Sequence, residues 1–363
     1  MNIQTLLLLL IFFALGFFMK HISSGTQTIQ SNTTLKVMGW IPFWDQEEAF
    51  NSFSLHTDLF DSVGVFWYSC SPDGTVAVYH DAVVDPNIIS FAHKNKVKVF
   101  ATVANLADNT NTETWDQNCV STIISSKEKR DKHIAHLTDL VVNNNFDGLV
   151  IDYEALPASQ KDNFSEFIEA LAQQLHQKGK LLGVTVHPKT SEDNPNENNG
   201  SHAQDLQRIA AASDSLYYMT YLEHGVSSDP GPPGSIGWIK QVLQYSIDDL
   251  HIPKEKIYLG IGLVGVTWKQ QQDGSFQGES NDNTFKNILS VAQMQHISPS
   301  WDANSETPFF YYQDKNKHVV WFENSQSVAV RVDSAKTLGV GGVALWRLGG
   351  EDQGIWNILK NNQ

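Results

Sequence analysis

Phe146-Asp147-Gly148-Leu149-Val150-Ile151-Asp152-Tyr153-Glu154 is a short apolar run that ends in two carboxylates two residues apart. In an extended chain alternate side chains share a face, so Gly148, Val150, Asp152 and Glu154 point one way and Leu149, Ile151 and Tyr153 the other. A strand apolar on one face, and apolar on the other until its last residues, is buried on both sides, as strands of a parallel sheet are. The acids lie at its C-terminal end, which in a (β/α)₈ barrel is the face where chemistry is done. A buried carboxyl beside a second one there has the raised pKa that a general acid needs near neutrality. Asp147, at the opposite pole of the strand, reads as a structural anchor.

Outward from this strand, apolar runs alternate with amphipathic helices from Lys36 onward, the pattern of an α/β chain. Eight strands are expected, at 36–43, 62–68, 96–101, 148–153, 181–186, 215–220, 257–263 and 341–346, which is the count of the (β/α)₈ (TIM) barrel. The helix after the fourth is the best defined. Phe164, Phe167, Ile168, Leu171, Ala172 and Leu175 recur at helical spacing, and Lys178-Gly179-Lys180 ends it. About fifty residues, 268–324, exceed an ordinary loop between the seventh and eighth strands, so a small α+β insertion is expected there. Within it the pattern predicts a helix at 284–293 and strands at 309–313 and 318–322, joined by an Asp314-Lys315-Asn316 turn.

The chain has 363 residues, 41% of them hydrophobic, enough for a barrel with a leader before it. A formal net charge of −15 argues against nucleic acid or an anionic membrane surface as partner. Residues 6–19 form an almost unbroken apolar run, so 1–22 read as a signal peptide or an N-terminal membrane anchor, with any membrane contact made through 3–19. The Ser, Thr, Gln and Asn of 23–34 read as a linker to a barrel at 35–363. The protein is then secreted or held at the cell surface. Cys70 and Cys119 fall in loops after neighbouring strands, where either a disulfide or two buried thiols is open. No Cys/His cluster has metal spacing, and neither metal nor cofactor is expected. Ten tryptophans are generous for this length, and flat rings stack well on sugar faces.

Asp147-Gly-Leu-Val-Ile-Asp152-Tyr-Glu154 resembles the Asp-Gly-x-Asp-x-Asp-aromatic-Glu signature of glycoside hydrolase family 18, the chitinase-like family. Tyr218-Met219-Thr220-Tyr221 is similar to the family's sixth-strand motif. Both Gly342-Val-Ala-Leu-Trp346-Arg-Leu-Gly-Gly-Glu351-Asp352 and Pro230-Gly-Pro-Pro-Gly-Ser-Ile-Gly-Trp238 resemble the bacterial spore-cortex and germination branch. The resemblance implies a substrate-assisted mechanism in which the sugar's N-acetyl oxygen attacks the anomeric carbon. By position, Glu154 would be acid and base, Asp152 would hold the N-acetyl group, and Tyr221 would donate to its carbonyl. Trp346 would floor the subsite of the reacting sugar and Trp40 would wall it, with Met219 and Glu223 beside the substrate.

Two positions depart from that pattern. Val150 stands where the family has its middle Asp, and Leu222 where an acid follows the tyrosine, leaving Glu223 or His224 to replace that acid. The resemblance thus implies a monomeric glycosidase of N-acetylglucosamine-containing glycans, peptidoglycan or chitin. The alternative is a weak or inactive, lectin-like barrel that binds them. His187, at the end of the fifth strand, reads as a substrate contact, a partner for Asp152 or a packed histidine. Glu351 and Asp352 read as groups that cap the last helix and bond loop amides.

Overall fold

The computed structural model describes residues 34–107, 115–192 and 200–362. The leader or anchor expected over 1–22, its apolar stretch 3–19, and the linker up to residue 33 lie outside the described residues. In chain order the strands are β1 (Lys36–Pro42), β2 (Ser62–Cys70), β3 (Val76–Val78), β4 (Lys98–Ala104), β5 (Gly148–Asp152), β6 (Leu181–Val186), β7 (Ser215–Tyr218) and β8 (Ile257–Gly262). There follow β9 (Val264–Gln270), β10 (Phe276–Thr284), β11 (Ser300–Asp302), β12 (Thr307–Gln313), β13 (Lys317–Phe322) and finally β14 (Gly342–Trp346).

Eight of these are parallel neighbours in the order β1-β14-β8-β7-β6-β5-β4-β2, and β1 pairs with β2 to close the barrel. Each expected barrel strand is present, β6 with the expected ends and the others with one or both ends shifted. The third begins at Lys98 because Lys96 takes a left-handed turn conformation (φ 63°) that no strand residue holds. β3 was not expected. It folds back antiparallel on the end of β2 and stays outside the barrel wall.

The alternation read from β5 is realised on both faces. Val150 points inward and packs with Met38, Trp40, Phe100, Tyr217, Tyr258 and Ala344. Leu149, Ile151 and Tyr153 point outward into the layer between strands and helices. That layer receives Phe164, Phe167, Ile168, Leu171 and Leu175 from the helix Lys161–Gln177. The helix stops where Gly179 enters the left-handed region (φ 67°), the usual use of glycine just past a helix end. Asp147 anchors the strand's start, accepting Val99 N–H and the His93 ring nitrogen, both at 2.8 Å.

The insertion begins at β9, a few residues before the expected boundary, and forms an antiparallel sheet in the order β10-β9-β13-β12-β11. The helix Phe285–Met294 packs on it through Ile288 and Ala292, against Phe310, Val320 and Phe322. The fully buried Arg331 ties this sheet to the barrel's loops. Its guanidinium donates to Glu306 O (2.6 Å), Gly234 O (2.8 Å), Thr307 Oγ1 (2.7 Å) and Glu323 Oε1 (3.1 Å).

Of the two states open to Cys70 and Cys119, the structure has free thiols, both buried, with their sulfurs 2.7 Å apart. Glu351 accepts from Ser52 and from Gly349 N–H, and Asp352 from Ser325 and Gly354 N–H. They bond loop amides as read from the sequence. The last helix, Ile355–Lys360, has Gly354 at its N-cap and no side-chain cap.

Candidate active site

The C-terminal ends of the barrel strands surround a cavity of about 560 Å³. Its walls are aromatic, built by Trp40, Trp44, Phe66, Trp115, Tyr217 and Trp346. Trp346, the last residue of β14, meets Trp40 and Trp44 edge-on at 6.1 Å between ring centroids and Phe66 at 5.6 Å. Trp40 is fixed on two sides. Its indole N–H donates to Thr102 Oγ1 at 3.1 Å and its ring meets Tyr217 at 5.2 Å. Trp44 stands more open, with the Arg347 guanidinium 5.8 Å from its ring and that arginine paired to Asp45 at 2.7 Å.

Asp152 and Glu154 line the same cavity. Asp152 ends the β5 ladder, is 5% exposed, and accepts the Thr185 hydroxyl of β6 at 2.5 Å. Burial pushes its pKa up to about 6, and the Thr185 bond restrains the rise. The Glu154 side chain is 16% exposed. Burial, and then the charge of Asp152, hold its carboxyl well above the usual glutamate range. Two such groups that feel each other's charge titrate as a pair. The upward shift is the stronger at Glu154, so the arrangement favours the proton on Glu154 over Asp152, which is the division of labour between acid and stabilising carboxylate.

Tyr221 lies beneath the same space. Glycines of β8 leave room for its ring, since a Cβ built on Gly262 would stand 3.0 Å from the tyrosine Cβ. Burial and the charges of Asp152 and Glu154 raise its pKa well above the phenol range, so it remains a donor. Met219 and Leu222 also line the cavity.

His187 follows β6. Its ring Nε2 is 3.7 Å from Glu154 Oε2 and has no hydrogen-bond partner among the described residues. Burial, reinforced by Lys189, lowers its pKa to about 4, so it is neutral at pH 7. Gln204 braces this strand end, accepting His187 N–H at 2.8 Å and donating to Thr185 O at 3.2 Å.

Across residues 36–352 the chain matches the family model described as glycosyl hydrolases family 18. The chain belongs to this family. The Bacillus subtilis (strain 168) glycosylase YvbX is 30% identical over 274 residues, 75% of this chain and 77% of that one. The cortical fragment-lytic enzyme of Bacillus cereus is 25% identical over 301 residues, 82% of this chain and 66% of its own. A solved chitinase from Chromobacterium violaceum ATCC 12472 is 26% identical with a TM-score of 0.80, over 90% of this chain and 98% of that one. The protein is a glycoside hydrolase on a (β/α)₈ barrel.

Of the residues singled out in the family 18 pattern, Glu154, Asp152, Tyr221, Trp346, Met219 and Trp40 come together around one cavity. Glu223 does not. Its carboxylate accepts the N–H (2.5 Å) and hydroxyl (2.9 Å) of Ser235, the N-cap of the helix Ile236–Gln244, and so it holds the residue that caps that helix. His224 does line the cavity. His187, open in the sequence to a substrate contact, a partner for Asp152 or a packed histidine, is buried with its ring nitrogen 3.7 Å from Glu154 Oε2. Trp44 and Thr185 line the cavity and were not singled out in the sequence. Trp44 sits on a short turn after β1 with no periodic pattern, and Thr185 reads as one more β-branched strand residue. The Thr185 signal was its register, since its neighbour Val184 pairs with Ile151.

Proposed function

We propose that this enzyme hydrolyses β-1,4-linked glycans containing N-acetylglucosamine, with retention at the anomeric carbon, using Glu154 as acid and base. The observation that carries this is the adjacency of two carboxyls of raised pKa, Asp152 and Glu154, on the floor of an aromatic cleft. The protonated Glu154 gives its proton to the glycosidic oxygen as the C1–O bond breaks. The sugar's own acetamido oxygen bonds to C1, forming an oxazolinium ion. Ionised Asp152 accepts from the acetamido N–H and stabilises the developing positive charge, while the Tyr221 hydroxyl donates to the acetamido oxygen. Glu154, now a carboxylate, takes a proton from the water that attacks C1, and the oxazolinium opens. Two inversions at C1 restore the original configuration.

Trp346 floors the subsite of the reacting sugar, Trp40 fixes its wall, and Met219 lines it. Peptidoglycan is the favoured polymer, on the likeness to the spore-cortex branch and to the Bacillus cereus cortical fragment-lytic enzyme. The apolar run at 6–19 supports a secreted or membrane-anchored enzyme.

The test is hydrolysis of peptidoglycan and of N-acetylglucosamine oligomers by the purified protein beside its Glu154→Gln variant. The parent should release products whose new reducing end first has the β configuration. The variant should lose about 10³-fold or more in kcat, the upper part of what a positioned acid contributes. Val150 and Leu222 favour a second reading, a glycan-binding barrel. Binding of oligomers by both proteins with cleavage by neither would establish it.

A further inference from the structure

We propose that Asn105 is a positioning residue for the acid, holding the Glu154 peptide by a paired hydrogen bond that carries the barrel ladder one rung past its end. This rests on the reading of Glu154 as the acid.

Ala104 closes β4, and its partner across the sheet is Asp152, which closes β5. Beyond that rung the two main chains part. The carbonyl of Asn105 turns away to accept Asp116 N–H at 2.6 Å. The Asn105 side chain takes over where its backbone leaves. Its Oδ1 accepts Glu154 N–H at 2.9 Å, and its Nδ2 donates to Glu154 O at 3.0 Å. A carboxamide carries the same donor and acceptor as a peptide group, so it can stand in for one residue of a neighbouring strand. Aspartate would lose the donor, and an aliphatic residue both. Asn105 is fully buried, so a lost partner would not be replaced by solvent.

The location gives these bonds their effect on chemistry. Ala155 adopts a left-handed conformation (φ 58°), so the chain turns sharply straight after Glu154. Glu154 therefore lies between the end of a strand and a turn, and its peptide is held from across the sheet by Asn105. Without that hold the carboxyl can move relative to Asp152 and Tyr221, and displacement of a reacting group by about 1 Å can cost about 10²-fold in rate.

The experiment measures kcat, KM and thermal midpoint for the full chain and for Asn105→Ala, Asn105→Asp and Glu154→Gln on N-acetylglucosamine oligomers. Asn105→Ala should lose about 100-fold in kcat with KM within about threefold. Asn105→Asp keeps the bond to Glu154 N–H and should fall between parent and Ala. Should the Ala variant fail to fold, the Asp variant decides on the same criterion. A purely structural Asn105 would lower the thermal midpoint while kcat per folded molecule stayed at the parental value in both variants, and that result overturns the proposal. An active Glu154→Gln instead overturns the reading of Glu154, whatever the Asn105 variants do.

Discussion

Val150 and Asp152 are two residues apart on β5 and point into the same barrel. Val150 is enclosed by Met38, Trp40, Phe100, Tyr217 and Tyr258, a layer of apolar and aromatic groups. Asp152, one layer higher, has the Thr185 hydroxyl and the neighbouring Glu154 and Tyr221. The difference shows where the raised pKa of the acid pair originates. Desolvation is the largest cause at both carboxyls, and the layer below them around Val150 is apolar. The family pattern has an acid at 150 that would bond to Asp152. Here Thr185 gives Asp152 a hydrogen bond, and the layer below is apolar.

The sharpest way to break this contrast is Val150→Asp. The new carboxyl would replace methyl groups at a fully buried position, next to a second carboxyl. The nearest indole donor, Trp40 Nε1, is already committed to Thr102. Burial of an unpaired acid should destabilise the fold by about 3 kcal/mol or more in urea unfolding at pH 7, with no gain in kcat per folded molecule. A variant as stable as the parent and more active would mean that the apolar layer is not what tunes the site.

A smaller effect sharpens the upper layer. The pKa of Asp152 is raised in the fold from 3.8 to about 6, so between these values the folded state binds more protons than the unfolded one. Stability attributable to this group is then full below about pH 4 and falls as pH rises to about 6, beyond which the loss is constant. Asp152→Asn keeps an oxygen for the Thr185 hydroxyl and removes the charge. It should be more stable than the parent at pH 7 by up to about 3 kcal/mol, from roughly two pKa units at about 1.4 kcal/mol each, with the difference vanishing near pH 4. Urea titrations at pH 4 and pH 7 check this. A constant difference at both pH values would show that Asp152 is not desolvated.

The contrast also explains what was legible beforehand. β5 and the helix Lys161–Gln177 were readable because burial imposes a period on them, two on the strand and 3.6 on the helix, and their residues obey it. β10, by contrast, runs Phe-Gln-Gly-Glu-Ser-Asn-Asp-Asn-Thr, and its ladder to β9 is broken by register shifts, so no apolar alternation marked it. The site divides the same way. Asp152, Glu154, Tyr221 and Trp346 sit at strand ends in motifs of fixed spacing. Asn105 and Gln204 act through amides whose partners lie 49 and 17 residues away, and such pairings leave no local pattern. Glu223 shows the converse. Its position close to Tyr221 suggested a ligand contact, while its carboxylate bonds Ser235, the residue that caps the next helix.

The bonds of Glu223 to Ser235 leave the cavity rim with Leu222, 39% exposed, at the place where the family pattern has an acid. Glu223 cannot turn inward to replace it without abandoning two bonds to Ser235. Leu222→Asp therefore adds a carboxylate acceptor at this point of the rim. The position is open to solvent, so fold stability should change by no more than about 0.5 kcal/mol. A single hydrogen bond to the sugar, worth about 0.5 to 1.5 kcal/mol net, should lower KM for N-acetylglucosamine oligomers by between about twofold and tenfold. If the bond forms equally in ground and transition states, kcat stays within about twofold, because uniform binding does not lower the barrier from the bound complex. An unchanged KM would place the sugar out of reach of residue 222, and Asp152 and Tyr221 would then be the groups that hold the N-acetyl arm.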